Sequence, residues 1–285
     1  MDSLFRKVMI PTDFSDYSLK TVECGAELRD IGVEEVVLFH AGTYDPFLLS
    51  LARMSVEEYV EKIGVEASKK LDEQAEILRN RGISVKTLFS ATSRDPAEKI
   101  LEIAGEENVD LILMGSRGLG WLKGKLLGGV SESVVRKSRI PVLITKFSVV
   151  KEAGEYYCQI TFERLFDRVI VALDTSEVRR EVVEFLKRVI AGGEVVLMHI
   201  VEGKSSADIE ADINSATEKL EGIKSRVGGG RIIIKWGNAV KEILSESEDA
   251  SLIVIMATGK NGSSELGKTA DAILRHSKIP VLVFK

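Results

Sequence analysis

The residues with the clearest chemical potential lie between positions 114 and 131. They read Met114-Gly115-Ser116-Arg117-Gly118, then nine residues, then Gly128-Gly129-Val130-Ser131. Gly115 and Gly118 carry no Cβ, so the main chain there can approach a ribose or a phosphate closely. Gly128, Gly129, Val130 and Ser131 open a segment of helical period, where unbonded N–H groups and the helix dipole favour an anion. Ser131 adds a hydroxyl. Arg117 lies within phosphate reach of the loop, although an exposed arginine with no ligand fits the sequence equally well. The spacing is not a P-loop, since the Gly-Lys-Ser/Thr ending is missing, and it is not a GxGxxG fingerprint. A pliable glycine-rich loop without a ligand is the plain alternative.

Other polar residues form no catalytic set. Phosphoryl transfer needs a positioned base, metal ligands and a cation over the terminal phosphate. Asp13, in the segment Pro11-Thr12-Asp13, is a single carboxylate, so slow phosphate hydrolysis is the most this sequence suggests. The chain has 3 His, and none stands at metal-ligand spacing. His40 and His199 are read as hydrogen-bonded residues at strand ends. Cys24 reads as packed core, and the absence of any CxxC or Cys/His spacing around Cys24 and Cys158 fits a reducing cytoplasm.

The elements that must position these groups are written twice. Lys137-Ser138-Arg139-Ile140-Pro141-Val142-Leu143-Ile144 returns as His276-Ser277-Lys278-Ile279-Pro280-Val281-Leu282-Val283. Val36–His40 matches Val195–His199, and Lys7–Asp13 matches Arg168–Asp174. This period is far longer than the ~20–50 residues of a solenoid repeat, so it indicates a duplicated domain. Within each copy, short apolar runs alternate with helical segments, the pattern of a parallel sheet with crossover helices. Strands are predicted near 7–11, 35–40, 84–89, 110–114 and 141–145, and near 168–173, 194–200, 231–235, 251–256 and 281–284. Ser15 or Asp16 caps a first helix that turns Leu19, Val22, Ala26 and Leu28 inward. A long polar helix runs from Val56 to Arg81, stopped by Gly82. Asp95-Pro96 starts another, with Asn238 in the same role in the second copy. The domains are drawn at 1–147 and 166–285, with 148–165 as a linker.

The glycine spacing, Pro11-Thr12-Asp13 and the repeated Ile-Pro-Val-Leu strand together resemble the universal stress protein family in its tandem two-domain form. The likeness covers nearly the whole chain outside the linker. It implies a Rossmann-like, adenine-nucleotide α-hydrolase-like α/β fold: two tandem open parallel five-stranded sheets flanked by helices. It also implies an adenine nucleotide, ATP or AMP, with Mg²⁺ or Mn²⁺ as a companion of the phosphates. By the same likeness Pro11, Thr12 and Asp13 line the adenosine and the backbone of Ala41 meets the adenine. Fifth-strand edges pair in family dimers, which implies an intrachain pseudo-dimer and a homodimer. The family motif ends G-x2-G-x9-G-(S/T). Gly129 stands where Ser or Thr is expected, a lost hydroxyl that weakens phosphate binding.

The second copy lacks most of this apparatus. Aligning Met256 with Met114 puts Ala257 at the place of Gly115, Lys260 at Gly118, Lys268 at Gly129 and Ala270 at Ser131, in a loop three residues shorter. Asp174 persists opposite Asp13, and Ile200 stands at the place of Ala41. The chain of 285 residues is 45% hydrophobic and 29% charged with a formal charge of −5. That balance excludes a disordered chain and gives no basic stripe for nucleic acid. No apolar run approaches the ~18 residues of a membrane span, so no membrane partner is expected. Two functions follow: a stress-response regulator that holds an adenine nucleotide in its first domain, or a nucleotide-free scaffold whose duplicated sheets bind partners. An enzyme of the wider α-hydrolase-like group is disfavoured for want of a catalytic constellation.

Overall fold

The computed structural model describes residues 4–116, 127–152, 155–159, 163–174, 178–202, 206–257 and 266–285. Arg117 and Gly118, named above as candidate site residues, lie outside them, as does Lys260. The chain divides into two compact units, Met1–Thr145 with Val149–Gln159, and Lys146–Ser148 with Ile160–Lys285.

In the first unit, strands β1 (Lys7–Pro11), β2 (Glu35–Thr43), β3 (Ser84–Thr92), β4 (Leu111–Gly115) and β5 (Val142–Thr145) form a parallel sheet in the order β3-β2-β1-β4-β5. Helices α1 (Asp16–Gly25), α2 (Pro46–Leu51), α3 (Val56–Arg79), α4 (Pro96–Glu106) and α5 (Gly129–Lys137) connect them. Val8, Met9, Ile10, Val36–Phe39 and Leu111–Leu113 are buried without interruption. Such runs, rather than alternation, are what a parallel sheet covered on both faces requires.

The starts of the helices follow their caps. Ser15 accepts from the Ser18 N–H, Ser55 and Glu58 form a reciprocal capping box, and Asp95 accepts from Ala97 ahead of Pro96. The first helix differs from expectation. It is α-helical only to Gly25 and tightens into a 3₁₀ turn over Ala26–Ile31. Val22, Ala26 and Leu28 are buried as predicted, but Leu19 is half-exposed, and Tyr17, Thr21 and Cys24 share the buried face. Gly25 allows that packing, because a Cβ there would stand 2.6 Å from Ile10 Cδ1.

The second unit repeats the plan. Strands β8 (Arg168–Ala172), β9 (Glu194–Val201), β10 (Arg231–Trp236), β11 (Leu252–Met256) and β12 (Val281–Phe284) take the order β10-β9-β8-β11-β12. Its helices are α6 (Arg180–Ile190), α7 (Ser206–Val227), α8 (Ala239–Glu246), capped by Asn238, and α9 (Lys268–His276). The segment read as a linker contains two strands, β6 (Ser148–Glu152) and β7 (Glu155–Gln159), paired as a separate two-stranded sheet.

Candidate functional site

In the first unit, the chain builds outward from β1 through β2 and β3 on one side, and through β4 and β5 on the other. The sheet order therefore reverses between β1 and β4, and the crevice beyond their carboxyl ends is where open α/β sheets bind ligands. Pro11 closes β1 and Gly115 closes β4, so Thr12-Asp13 and Ser116 emerge side by side at this switch point.

The β1 side is stiffened by local hydrogen bonds. Thr12 is buried; its N–H donates to the Phe39 carbonyl at 2.8 Å, and its hydroxyl donates to Ser18 Oγ at 3.0 Å and accepts from the Phe14 N–H at 3.1 Å. Asp13 Oδ1 accepts from both the Ser15 N–H, at 3.1 Å, and the Ser15 hydroxyl, at 2.5 Å. Between them Phe14 takes φ 61°, an uncommon backbone state for a non-glycine residue. Its ring packs against His40 at a tilt of 36° with centroids 4.3 Å apart, and the Lys70 ammonium lies 5.5 Å from its centre.

His40 Nδ1 is 2.8 Å from the Thr12 carbonyl, and since a carbonyl only accepts, that nitrogen carries the hydrogen. Burial holds the imidazole below its ordinary value of 6.5, against the Thr12 hydrogen bond and the Asp13 carboxylate, which pull it upward. His199 repeats the contact on the Leu173 carbonyl at 2.7 Å. The two histidines thus pin the turn after the first strand of each unit, although neither ends its strand as expected, since β2 runs on to Thr43 and β9 to Val201.

Ala41 was expected just past a strand, but β2 runs on to Thr43, pairing Ala41 with Ser90, Gly42 with Ala91 and Thr43 with Thr92 of β3. Gly42 makes this possible, since a Cβ there would meet Phe89 Cε2 at 2.6 Å. The direction of the Ala41 backbone follows from parity. The Phe39 carbonyl faces β1, where it accepts from Thr12, and the Tyr44 N–H faces β3, where it donates to Thr92. Odd residues of β2 therefore face β1, because a parallel strand directs alternate residues to alternate neighbours. The β1 pairing ends at Pro11–Phe39, so the Ala41 amide and carbonyl point into the crevice with no β1 residue opposite.

On the β4 side, the Ser116 N–H donates to Thr145 and the Gly128 N–H donates to the Ser116 carbonyl at 2.7 Å, drawing the two ends of the glycine loop together. Gly128 is the N-cap of α5, with φ −72° and ψ 149° and no side-chain cap. Its first helical N–H groups, at Gly129 and Val130, belong to the class left unbonded within a helix. Ser131 is buried and its hydroxyl donates to the Gly115 carbonyl at 2.7 Å. Its proton therefore latches the helix start to β4. Around Gly129, a built Cβ would meet no described atom within 4 Å. Met114, the remaining residue of the motif, is buried in β4.

The second unit keeps the β-strand side and loses the helix side. Leu173 donates to Met198 as Thr12 does to Phe39, which gives Ile200 the backbone direction of Ala41. The register corrects the loop alignment. Val8 pairs with Leu111 as Val169 pairs with Leu252, and Gly115 pairs with Thr145 as Met256 pairs with Phe284. Met256, not Ala257, therefore occupies the place of Gly115, Ala257 that of Ser116, and the loop is two residues shorter. The shared methionine letter misleads because the strands slide by one residue between copies. At the helix start, Gly267 is the N-cap of α9, so Lys268 and Ala270 do stand where Gly129 and Ser131 stand. No group of three or more metal-ligating side chains is placed to hold an ion among the described residues, and none of their helices is long and apolar enough to cross a membrane.

A duplicated parallel α/β unit with a glycine-opened helix at its switch point defines a tandem Rossmann-like protein. A model of the Universal stress protein family matches the chain over residues 4–146 and again over 165–285, and the chain belongs to that family. It is 34% identical over 160 residues to a universal stress protein of Methanocaldococcus jannaschii, covering 51% of this chain and 98% of that one. A universal stress protein of Mycobacterium tuberculosis is 27% identical over 223 residues, 72% of this chain and 70% of its own. The crystal structure of a universal stress protein from Archaeoglobus fulgidus matches with a TM-score of 0.71 at 29% identity, across 99% of this chain and 98% of that chain.

Proposed function

We propose that the first unit binds an adenine nucleotide, ATP or AMP, and that the protein acts as a stress-response regulator through that occupancy. The observation that carries this reading is the presence, at one switch point, of an Ala41 amide and carbonyl beyond the reach of β1 and a side-chain-free helix start at Gly128-Gly129. A planar base needs the first and a phosphate chain needs the second. Pro11, Thr12 and Asp13 flank the sugar between them, and Gly115 with Gly118 admits the backbone close to it. Arg117 is assigned to the phosphate side, and Mg²⁺ or Mn²⁺ accompanies a triphosphate. In the second unit Lys268 and Ala270 replace the phosphate-side residues, so one site per chain is assigned. The reading concerns binding and not turnover.

A scaffold that needs no nucleotide is favoured by one observation: the Ser131 hydroxyl proton is held by Gly115 instead of facing the crevice. A thermal-shift titration with ATP, ADP, AMP and GTP, with and without Mg²⁺, followed by calorimetry, separates the two. A ligand that binds only the folded state adds ~2.7 kcal/mol at 100 times its Kd. Adenine nucleotides should raise the midpoint, GTP should not, and Gly128→Val should remove the effect by filling the approach path. Absence of any nucleotide effect on the unaltered protein overturns the reading, and two equal sites per chain overturn the assignment to the first unit.

A further inference from the structure

We infer that α2 of the first unit is a contact surface for a second copy of this chain, a surface independent of the nucleotide reading. The helix is only six residues long, started by Asp45, whose Oδ1 accepts from Phe47 N–H, and by Pro46. Leu49 anchors it at 8% exposure, whereas Phe47, Leu48 and Leu51 are 69%, 59% and 66% exposed. A helix this short is unstable alone, and it turns three of its four large apolar side chains to the outside. The fold of a unit does not need it. In the second unit β9 ends at Val201 and α7 starts at Ser206, too few residues to hold a counterpart.

An apolar surface that the fold does not require is characteristic of a partner site. Area and charge together identify the partner as another copy. At the sizes of buried Phe and Leu side chains, the three residues offer about 300–400 Å² of apolar surface. Two copies facing each other bury about 700 Å² of it, and at the ~57–65% apolar share of protein interfaces that implies about 1,100–1,200 Å² in all. This is the lower edge of a specific interface, appropriate to a concentration-dependent dimer. A two-fold contact also requires a self-complementary rim. Arg53, just past α2, and Glu57, in the first turn of α3, are both exposed, and neither forms an ion pair with another described residue. In a two-fold pairing each can meet the other on the second copy.

Sedimentation equilibrium over a wide concentration range tests this on the full chain. The unaltered protein should pass reversibly between monomer and dimer. Leu48→Glu with Leu51→Glu should raise the dimer Kd at least about 30-fold, with an unchanged melting midpoint because both sites are exposed. Arg53→Glu should weaken the dimer by about 5-fold, and adding Glu57→Arg should restore it. A protein monomeric at every concentration overturns the inference. So does self-association that the glutamate variants and the charge exchange leave unchanged, which would place the contact on another face.

Discussion

Replacing Gly129 by Ser restores the hydroxyl that the family motif carries, and the structure permits the effect to be worked out. Gly129 begins α5 at a negative φ, and a Cβ there meets no described atom within 4 Å, so the new side chain enters without strain. Since the Ser131 proton is engaged by Gly115, a hydroxyl at 129 would be the one available to an anion at this helix start. A hydrogen bond to a charged group contributes about 1.5–3 kcal/mol, and ordering the side chain takes back roughly 0.5. The net of about 1–2.5 kcal/mol corresponds to an ATP Kd lowered about 5- to 70-fold. Helix propensity acts separately. Ser should stabilise the unliganded protein by about 0.5 kcal/mol and Ala by about 1, or about 1–4 °C in midpoint for a unit of this size. Calorimetric titration of Gly129, Gly129→Ser and Gly129→Ala isolates the hydroxyl as the difference between Ser and Ala. Equal affinities for those two variants would refute the reasoning, whatever happens to their melting points.

Two further outcomes test the supports of the site. Ser131→Ala removes the donor to the Gly115 carbonyl and should cost about 1–3 kcal/mol in urea unfolding; a loss below about 0.5 would show that the latch contributes little. His40 is held below its ordinary value by burial, so the unfolded chain takes up the proton first. That part of the stability is complete above about pH 6.5 and declines as the pH falls. Melting midpoints at pH 7.5 and 5.5 should therefore converge in His40→Gln, and an unchanged difference would count against the buried imidazole as its source.

Much of the fold was legible because each level of the sequence agrees. Apolar runs, Asp95-Pro96 and the repeated Ile-Pro-Val-Leu segment all place their elements within a few residues. What escaped has physical reasons. Asp45-Pro46 carries the same helix-start signal as Asp95-Pro96, but α2 buries too little to leave an apolar period. The ends of β2 and β3 are small or polar residues, Ala41-Gly42-Thr43 and Ser90-Ala91-Thr92, which pair through backbone and leave no hydrophobic trace. The slide between Gly115 and Met256 depends on neighbouring strands, and local similarity of letters pointed the other way. The Ser131 hydroxyl, at the motif's spacing, donates to the Gly115 carbonyl; its burial and its partner are properties of the folded chain.

The overhang of β2 beyond β1 gives a central strand two characters along its length. Up to Phe39 it is an interior strand with both sides paired; from there to Thr43 it is paired on the β3 side alone. Unpaired strand edges are ordinarily hazards at the rim of a sheet, open to any passing chain. Here the unpaired stretch lies beside the switch point, where Ala41 and Thr43 turn their backbone groups to the β1 side, so a group that paired there would have to supply a donor and an acceptor side by side. A bound base would serve as a miniature strand, completing the sheet at the point where the protein leaves it unfinished.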